Sequence, residues 1–125
     1  MRLNSPLLTL SLVFLLAASL SGCLRHQRNF YFGHYSDAER YYAKGEYEKA
    51  IEKYQAYRDE NPEGNLAVIA HYYMAKSYQA LGKNSEARAA YQEIKAKYPD
   101  MVWANFSETQ LKDLTESDSL PETES

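Results

Sequence analysis

The side chain with the clearest capacity for covalent chemistry is the thiol of Cys23, the single cysteine of this 125-residue chain. Because the chain has no second cysteine, Cys23 cannot form an intramolecular disulfide, and we consider other roles for its thiol. The two residues before Cys23, Ser21 and Gly22, are small enough to let a peptidase approach the backbone. The thiol of Cys23 can itself be alkylated. Cys23 is therefore the first candidate for modification.

Other catalytic or metal-binding patterns are scarce. The histidines are His26, His34 and His71. They form no close pair of the spacing that metal ligands usually have, and no Gly-rich phosphate loop or nucleophile elbow occurs. Carboxylates such as Glu46 and Glu48 lie among lysines on what should be a solvated helix face. We predict no catalytic residue, no metal site and no cofactor, and hence no enzyme.

The segment before Cys23 has the layout of an export signal. Arg2 supplies positive charge, and the 14 residues from Leu7 to Leu20 carry none. A membrane-spanning helix needs about 20 apolar residues, so this run is too short to be one. Leu20-Ser21-Gly22-Cys23 resembles the lipobox of bacterial lipoproteins. An ordinary secretory signal followed by a chance cysteine is the alternative.

The lipobox resemblance implies that residues 1–22 are removed and that Cys23 becomes the lipidated, palmitate-bearing first residue. The residue after Cys23 is Leu24 and not an aspartate. In enteric lipoproteins, the absence of an aspartate at this position directs the protein to the outer membrane, where it faces the periplasm. Residues 23–33 would be the lipidated N-terminus and tether, of which 24–29 span at most about 20 Å. Arg25 and Arg28 either touch anionic headgroups or belong to an ordinary solvated linker.

The remaining 103 residues suffice for one small domain. They carry 13 basic and 17 acidic side chains, with no dense basic stripe. We therefore expect no nucleic-acid partner.

Residues 34–62 repeat in residues 71–99, at a shift of 37. Ten of the 29 aligned pairs are identical, where unrelated segments of this composition would share about two or three. The identical pairs include His34 with His71, Tyr35 with Tyr72, Ala38 with Ala75, Gly45 with Gly82, Tyr54 with Tyr91 and Pro62 with Pro99. The chain is therefore built from two copies of one unit.

Each unit is predicted to be two helices around a glycine turn. Gly45 and Gly82 stand where a left-handed residue would end the first helix, and Pro62 and Pro99 close the second. The segment 36–39, an S-x-x-E capping box, predicts the start of the first helix.

The second helices are predicted over residues 47–60 and 85–97. Tyr47, Ala50 and Tyr54 recur there at spacings of three and four, and nothing alternates with period two. The fold class is therefore all-α.

The pattern of small and aromatic residues resembles the tetratricopeptide repeat. The matching residues are Ala38, Tyr41, Gly45, Tyr47, Ala50, Tyr54 and Pro62 in the first unit, and Ala75, Tyr78, Gly82, Ala87, Tyr91 and Pro99 in the second. Asn84 departs from the expected aromatic, and the period of 37 exceeds the usual 34. We expect the three extra residues to lengthen the turn around residues 62–65.

The resemblance implies a short helical solenoid whose first helices line a concave groove. The family's partner-contacting positions fall on Tyr35, Glu39, Tyr42, Tyr72, Lys76 and Gln79. Their spacings of four and three place each trio on one helix face. For the tyrosines at 35 and 72, packing between helices is an equally open interpretation.

Two units alone leave the end of the stack exposed, and a fifth helix over residues 100–114 is predicted to cover it. Trp103 is interpreted as part of this cap in preference to a ligand site. The aromatic residues 30–32 either close the other end or meet a partner. The helical domain thus spans residues 34–114, and residues 115–125 are predicted to be a disordered acidic tail.

A lipid anchor joined to this fold resembles the outer-membrane lipoproteins that serve envelope assembly: the β-barrel assembly, pilotin-like and Tol-Pal-associated families. The resemblance implies an anchored adaptor that binds a protein or peptide in the periplasm. An accessory protein that positions an envelope polymer or synthase, in a cell-wall or exopolysaccharide system, is the alternative.

Overall fold

The computed structural model describes residues 32–119, which contain five α-helices and no strand. In chain order these are α1 (His34–Ala43), α2 (Tyr47–Glu60), α3 (Asn65–Ala80), α4 (Asn84–Lys97) and α5 (Val102–Ser119). Each helix packs chiefly on its successor, and α3 also contacts α5. The predicted short all-α solenoid, two helix pairs and a C-terminal capping helix, is confirmed.

Several sequence predictions lie outside the described residues: the signal peptide at 1–22, Cys23, the tether up to residue 31, and the end of the tail from residue 120. Within residues 32–119, no helix is both long and apolar enough to cross a bilayer.

The glycine turns inside the two units are confirmed in atomic detail. Gly45 and Gly82 have φ values of 75° and 72°, a left-handed conformation that side chains with a Cβ rarely adopt. After α1, the Glu46 N–H donates to the Tyr41 carbonyl and the Gly45 N–H donates to the Tyr42 carbonyl. The same pair of bonds follows α3, so both first helices end in a Schellman motif.

The prolines end the second helices as predicted. α2 ends at Glu60 and α4 at Lys97, two residues before Pro62 and Pro99 respectively. The intervening residues leave the helical conformation, because a proline ring disfavours it in the residue before it.

The predicted capping box is wrong, since α1 begins earlier than residue 36. Its N-cap is Gly33, and Ser36 lies within the first turn. There the Ser36 hydroxyl accepts the Phe32 N–H at 2.8 Å. The serine therefore stabilises the chain entering the helix rather than the helix's own first amides.

The extra residues of the 37-residue period lie in a helix and not in the predicted turn. Residues 61–64 between α2 and α3 form a connection as short as residues 98–101 between α4 and α5. α3 instead has 16 residues, against 10 in α1. The extension at residues 65–70 is apolar enough to be partly buried, with Val68 1% exposed, which makes helix a better use of these residues than loop.

Alanines and one large ring form the contact between helices in each pair. Ala50 and Tyr54 of α2 pack with Ala38, Ala70 and Met74, all buried. At the equivalent place, Ala87 and Tyr91 of α4 pack with Ala75 and Leu114. The alanines let the backbones approach, and the tyrosine fills the space beside them.

The repeat extends into α5 as a packing pattern, although the residue types differ. Met74 of α3 packs against Ala50 and Tyr54, and Leu111, 37 residues later, packs against Ala87 and Tyr91. Ala67 and Ala104 are likewise both buried, 37 residues apart. α5 therefore occupies the place of a third first helix, which explains how it covers the second pair.

The prediction of a disordered tail from residue 115 is wrong for residues 115–119, which continue α5. Arg88 of α4 accounts for this extension: its guanidinium donates to the Leu114 carbonyl at 2.9 Å and pairs with Asp118. The Thr115 hydroxyl also donates to the Leu111 carbonyl. An arginine on a neighbouring helix thus offsets the unfavourable acidic charge near the helix C-terminus.

Candidate partner-binding face

We use the term first-helix face for the six residues predicted to contact a partner: Tyr35, Glu39, Tyr42, Tyr72, Lys76 and Gln79. All six are half-buried, and each contacts another side chain of the stack. The face therefore serves the packing of the helices as well as any partner.

In the first unit, Glu39 is the acceptor for a buried tyrosine. The Tyr54 hydroxyl donates to Glu39 Oε1 at 2.5 Å, and the Tyr54 ring is fully buried. Burial, followed by the nearby Glu39 carboxylate, raises the pKa of Tyr54 far above its usual value. Tyr54 therefore remains a neutral donor whose bond joins α2 to α1.

In the second unit this arrangement changes by one helical turn. Residue 76, which corresponds to Glu39, is a lysine and cannot accept a hydroxyl proton. The Tyr91 hydroxyl donates instead to Gln79 Oε1 at 3.0 Å. Both buried tyrosines are thus satisfied from the first-helix face, through different residues.

Replacing each buried tyrosine by phenylalanine should reveal this difference. A hydrogen bond to a charged group contributes about 1.5–3 kcal/mol and one between neutral groups about 0.5–1.5 kcal/mol. We expect Tyr54→Phe to lower the free energy of unfolding by about 2 kcal/mol and Tyr91→Phe by about 1 kcal/mol, measured by urea denaturation. In a Glu39→Gln background the Tyr54→Phe effect should shrink. Equal losses would show that the carboxylate adds nothing.

Aromatic rings run in contact from α1 across α3 to α5. Tyr73 is the central ring, with centroids 5.3 Å from Tyr42, 5.7 Å from Tyr72 and 6.4 Å from Trp103. Most contacts are edge-to-face or tilted, the arrangements that aromatic quadrupoles favour. Tyr73 was missed from sequence because it aligns with Ser36 and so lacks an aromatic counterpart in the first unit.

Tyr35 and Tyr72 pack between helices, which was one of the two interpretations left open. Tyr35 lies 5.4 Å from Tyr57 of α2, and Tyr72 lies 5.1 Å from Trp103 of α5. Burial, followed by the nearby Glu39 carboxylate, raises the pKa of Tyr35. These rings remain half-buried, so their outer edges still belong to the surface.

Trp103 joins the capping helix to this ring row. Its ring contacts Tyr72 and Tyr73, as the cap interpretation requires, and lies 5.5 Å from Phe106. Phe106 is 46% exposed and extends the apolar surface beyond α3. The cap thus also lengthens the first-helix face.

Lys76 and Asp113 place charge beside these rings. Lys76 Nζ donates to Gln110 Oε1 at 3.0 Å, linking α3 to α5. The Asp113 carboxylate is exposed and contributes, after burial and neighbouring tyrosines, to the raised pKa of Tyr72. Asp113 was not among the partner-contacting residues predicted from the sequence, although it lies 37 residues after Lys76 and so occupies the same position of the repeat.

Away from this face, His71 is buried between the two pairs, 2% exposed. Its Nε2 lies 3.6 Å from Glu93, which also lies 3.6 Å from Arg58. Burial, followed by the cationic Arg58 and Lys97, lowers the pKa of His71 to about 3. The imidazole is therefore neutral at neutral pH, and its contact with Glu93 is not an ion pair.

This burial predicts a loss of stability in mild acid. An unfolded histidine takes up a proton near pH 6.5, whereas folded His71 does so near pH 3, so the unfolded state gains protons between these values. The free energy of unfolding should fall as pH drops below about 6.5, by up to ~1.4 kcal/mol per pH unit from this group. Urea denaturation at pH 7, 6 and 5 should show a shallower slope for His71→Gln. Parallel slopes would contradict a neutral, buried imidazole.

Within residues 32–119, no group of three or more His, Cys, Asp or Glu side chains could hold a metal ion. The first-helix face instead offers a surface for contact with a partner, made of aromatic rings with polar edges and of isolated charged side chains. Such rings bury large areas on binding while losing little rotamer entropy.

Residues 70–100 match the model of the tetratricopeptide repeat family. The match covers most of α3, the Gly82 turn and all of α4, the second helix pair. The chain therefore contains a tetratricopeptide repeat, a fold that supports binding of a protein partner and occurs generally in non-catalytic scaffolds. A comparison with curated proteins finds no match.

Proposed function

We propose that this protein is a lipid-anchored adaptor of the outer membrane, which binds a protein or peptide partner in the periplasm during assembly of an envelope complex. The observation that carries the proposal is the first-helix face. Rings in unbroken contact run from α1 to α5 on a tetratricopeptide scaffold, with the charges of Glu39, Lys76 and Asp113 beside them.

The anchor is part of the proposal because it determines where this surface acts. Two acyl chains hold a protein stably on a bilayer, and Cys23 is the candidate acceptor. With ten residues between Cys23 and α1, the binding domain would work close to the membrane surface. An anchor near the domain restricts the partner to proteins that reach the same surface.

The proposal includes no activity of the protein's own. The tyrosine hydroxyls on and beneath the face have raised pKa values, mainly through burial. They are therefore poor proton acids and suit the role of neutral hydrogen-bond donors.

Affinity capture of the full-length protein from detergent-solubilised membranes tests the proposal. We expect recovery of one defined protein partner. Lys76→Met and Tyr42→Ala should each reduce its recovery at least about fivefold, as expected for a contact worth 1 kcal/mol or more. Quantitative mass spectrometry of the captured material provides the readout, and thermal melts followed by circular dichroism verify that each variant is folded.

Lys112→Met is the matched control, since the Lys112 side chain is 70% exposed and its charge lies 3.8 Å from Glu108 on the same helix, α5. Recovery should not change in this variant. Cys23→Ala should move the protein to the soluble fraction without acyl chains; membrane-bound, acylated protein would contradict the anchor. Retention of glycan with no protein would overturn the adaptor and favour an accessory role in a cell-wall system.

A further inference from the structure

Three charges occupy the same repeat position on successive first helices. Glu39 on α1, Lys76 on α3 and Asp113 on α5 are each separated by 37 residues. The helices α3 and α5 also correspond in space, because Met74 belongs to the cluster around Tyr54 and Leu111, 37 residues later, packs against the cluster around Tyr91. The first-helix face, together with Asp113 on α5, therefore carries negative, positive and negative charge in order across the stack.

None of the three charges has an oppositely charged partner within ion-pair distance among residues 32–119. Glu39 accepts the Tyr54 hydroxyl, and Lys76 donates to the neutral amide of Gln110. Most other charged side chains described here are paired, including Asp37 with Arg40 and Arg88 with Asp118. The three charges that lie beside the ring row are thus available to a ligand.

The spacing of the charges is set by the stack. Side chains of successive first helices meet across this face, since Tyr42 contacts Tyr73 and Lys76 donates to Gln110, so one step between these helices is about 10 Å, the upper end of the range for packed helices. An extended or polyproline chain advances about 3.1–3.4 Å per residue. Three residues of such a chain therefore cover one step from helix to helix.

We infer that the first-helix face binds an extended polypeptide segment that presents basic, acidic and basic side chains about three residues apart, opposite Glu39, Lys76 and Asp113. The inference rests on the proposed function and specifies the chemistry of its partner. Between the charges, the rings of Tyr42, Tyr73 and Trp103 would contact the apolar or proline residues of the segment.

Other classes of ligand fit this surface less well. A nucleic acid or other polyanion would bring negative charge against Glu39 and Asp113. A neutral glycan would cover all three charges without pairing them, at a cost in desolvation. Alternating charge also fixes the register of the segment, because a shift by one step places like charges opposite each other.

Fluorescence polarisation with three labelled peptides tests the inference on the full-length protein in detergent. The first peptide has the order Lys-Pro-Ala-Glu-Pro-Ala-Lys, the second exchanges its lysines and glutamate, and the third, Pro-Ala-Lys-Glu-Lys-Pro-Ala, keeps the composition but clusters the charges. We expect the first to bind about tenfold more tightly than either of the others, and the preference to weaken at 0.5 M salt.

Lys76→Met should reduce this preference to about threefold or less, while Lys112→Met should leave it intact. Glu39→Gln, which keeps the acceptor oxygen for Tyr54, should likewise weaken selection for the basic end. Equal or undetectable binding of the three peptides overturns the inference. If a Lys76-dependent partner is nevertheless captured from membranes, the proposed function survives; if the peptide preference holds but no protein is captured, the adaptor role fails instead.

Discussion

The hydroxyl groups of Tyr54 and Tyr91 must find acceptors inside the stack, and this requirement shapes much of the molecule. Both rings are fully buried, where an unpaired hydroxyl would cost about 1–3 kcal/mol. Their acceptors, Glu39 and Gln79, lie on the face that we propose binds a partner. The core and the binding surface are therefore joined by single hydrogen bonds.

This link divides the first-helix face into two kinds of residue. Glu39 and Gln79 hold the helices of each pair together, and Tyr35 and Tyr72 pack between helices. Tyr42 and Lys76 contact neighbouring first helices but satisfy no buried group. A partner can engage the second kind without breaking the core, and it can pair with Glu39 while one oxygen of that carboxylate still accepts the Tyr54 hydroxyl. The surface can therefore be specific while the scaffold stays unchanged on binding.

The sequence was sufficient to predict the repeating architecture, because glycine turns and helix-ending prolines act locally. Gly45, Gly82, Pro62 and Pro99 act through backbone geometry that no distant contact alters. The error at the C-terminal tail arose where a distant group decides the structure. Arg88 on α4 keeps the end of α5 helical, a contact between residues 26 to 30 positions apart that no local pattern reveals.

The same distinction applies to the candidate site. The six face residues could be located because the repeat fixes their position on the helix. Tyr73 and Asp113 could not be found by comparing the two obvious units, since one aligns with a serine and the other lies in a helix whose resemblance to the repeat is in packing rather than residue type. A signal for Asp113 exists only once α5 is recognised as a third first helix, whereas Tyr73 aligns with Ser36 in α1 and with Gln110 in α5 and has an aromatic counterpart in neither.

Trp103, the single tryptophan of the chain, offers the most direct test that the partner occupies the first-helix face. Its ring lies against Tyr72 and Phe106 at the edge of the proposed contact, and its fluorescence responds to any ligand that covers it. Titration with the captured partner, or with the charge-alternating peptide, should shift the Trp103 emission to shorter wavelength and shield it from iodide quenching, with the same midpoint as binding. Saturated binding with unchanged emission and quenching would place the partner elsewhere on the molecule and contradict the account.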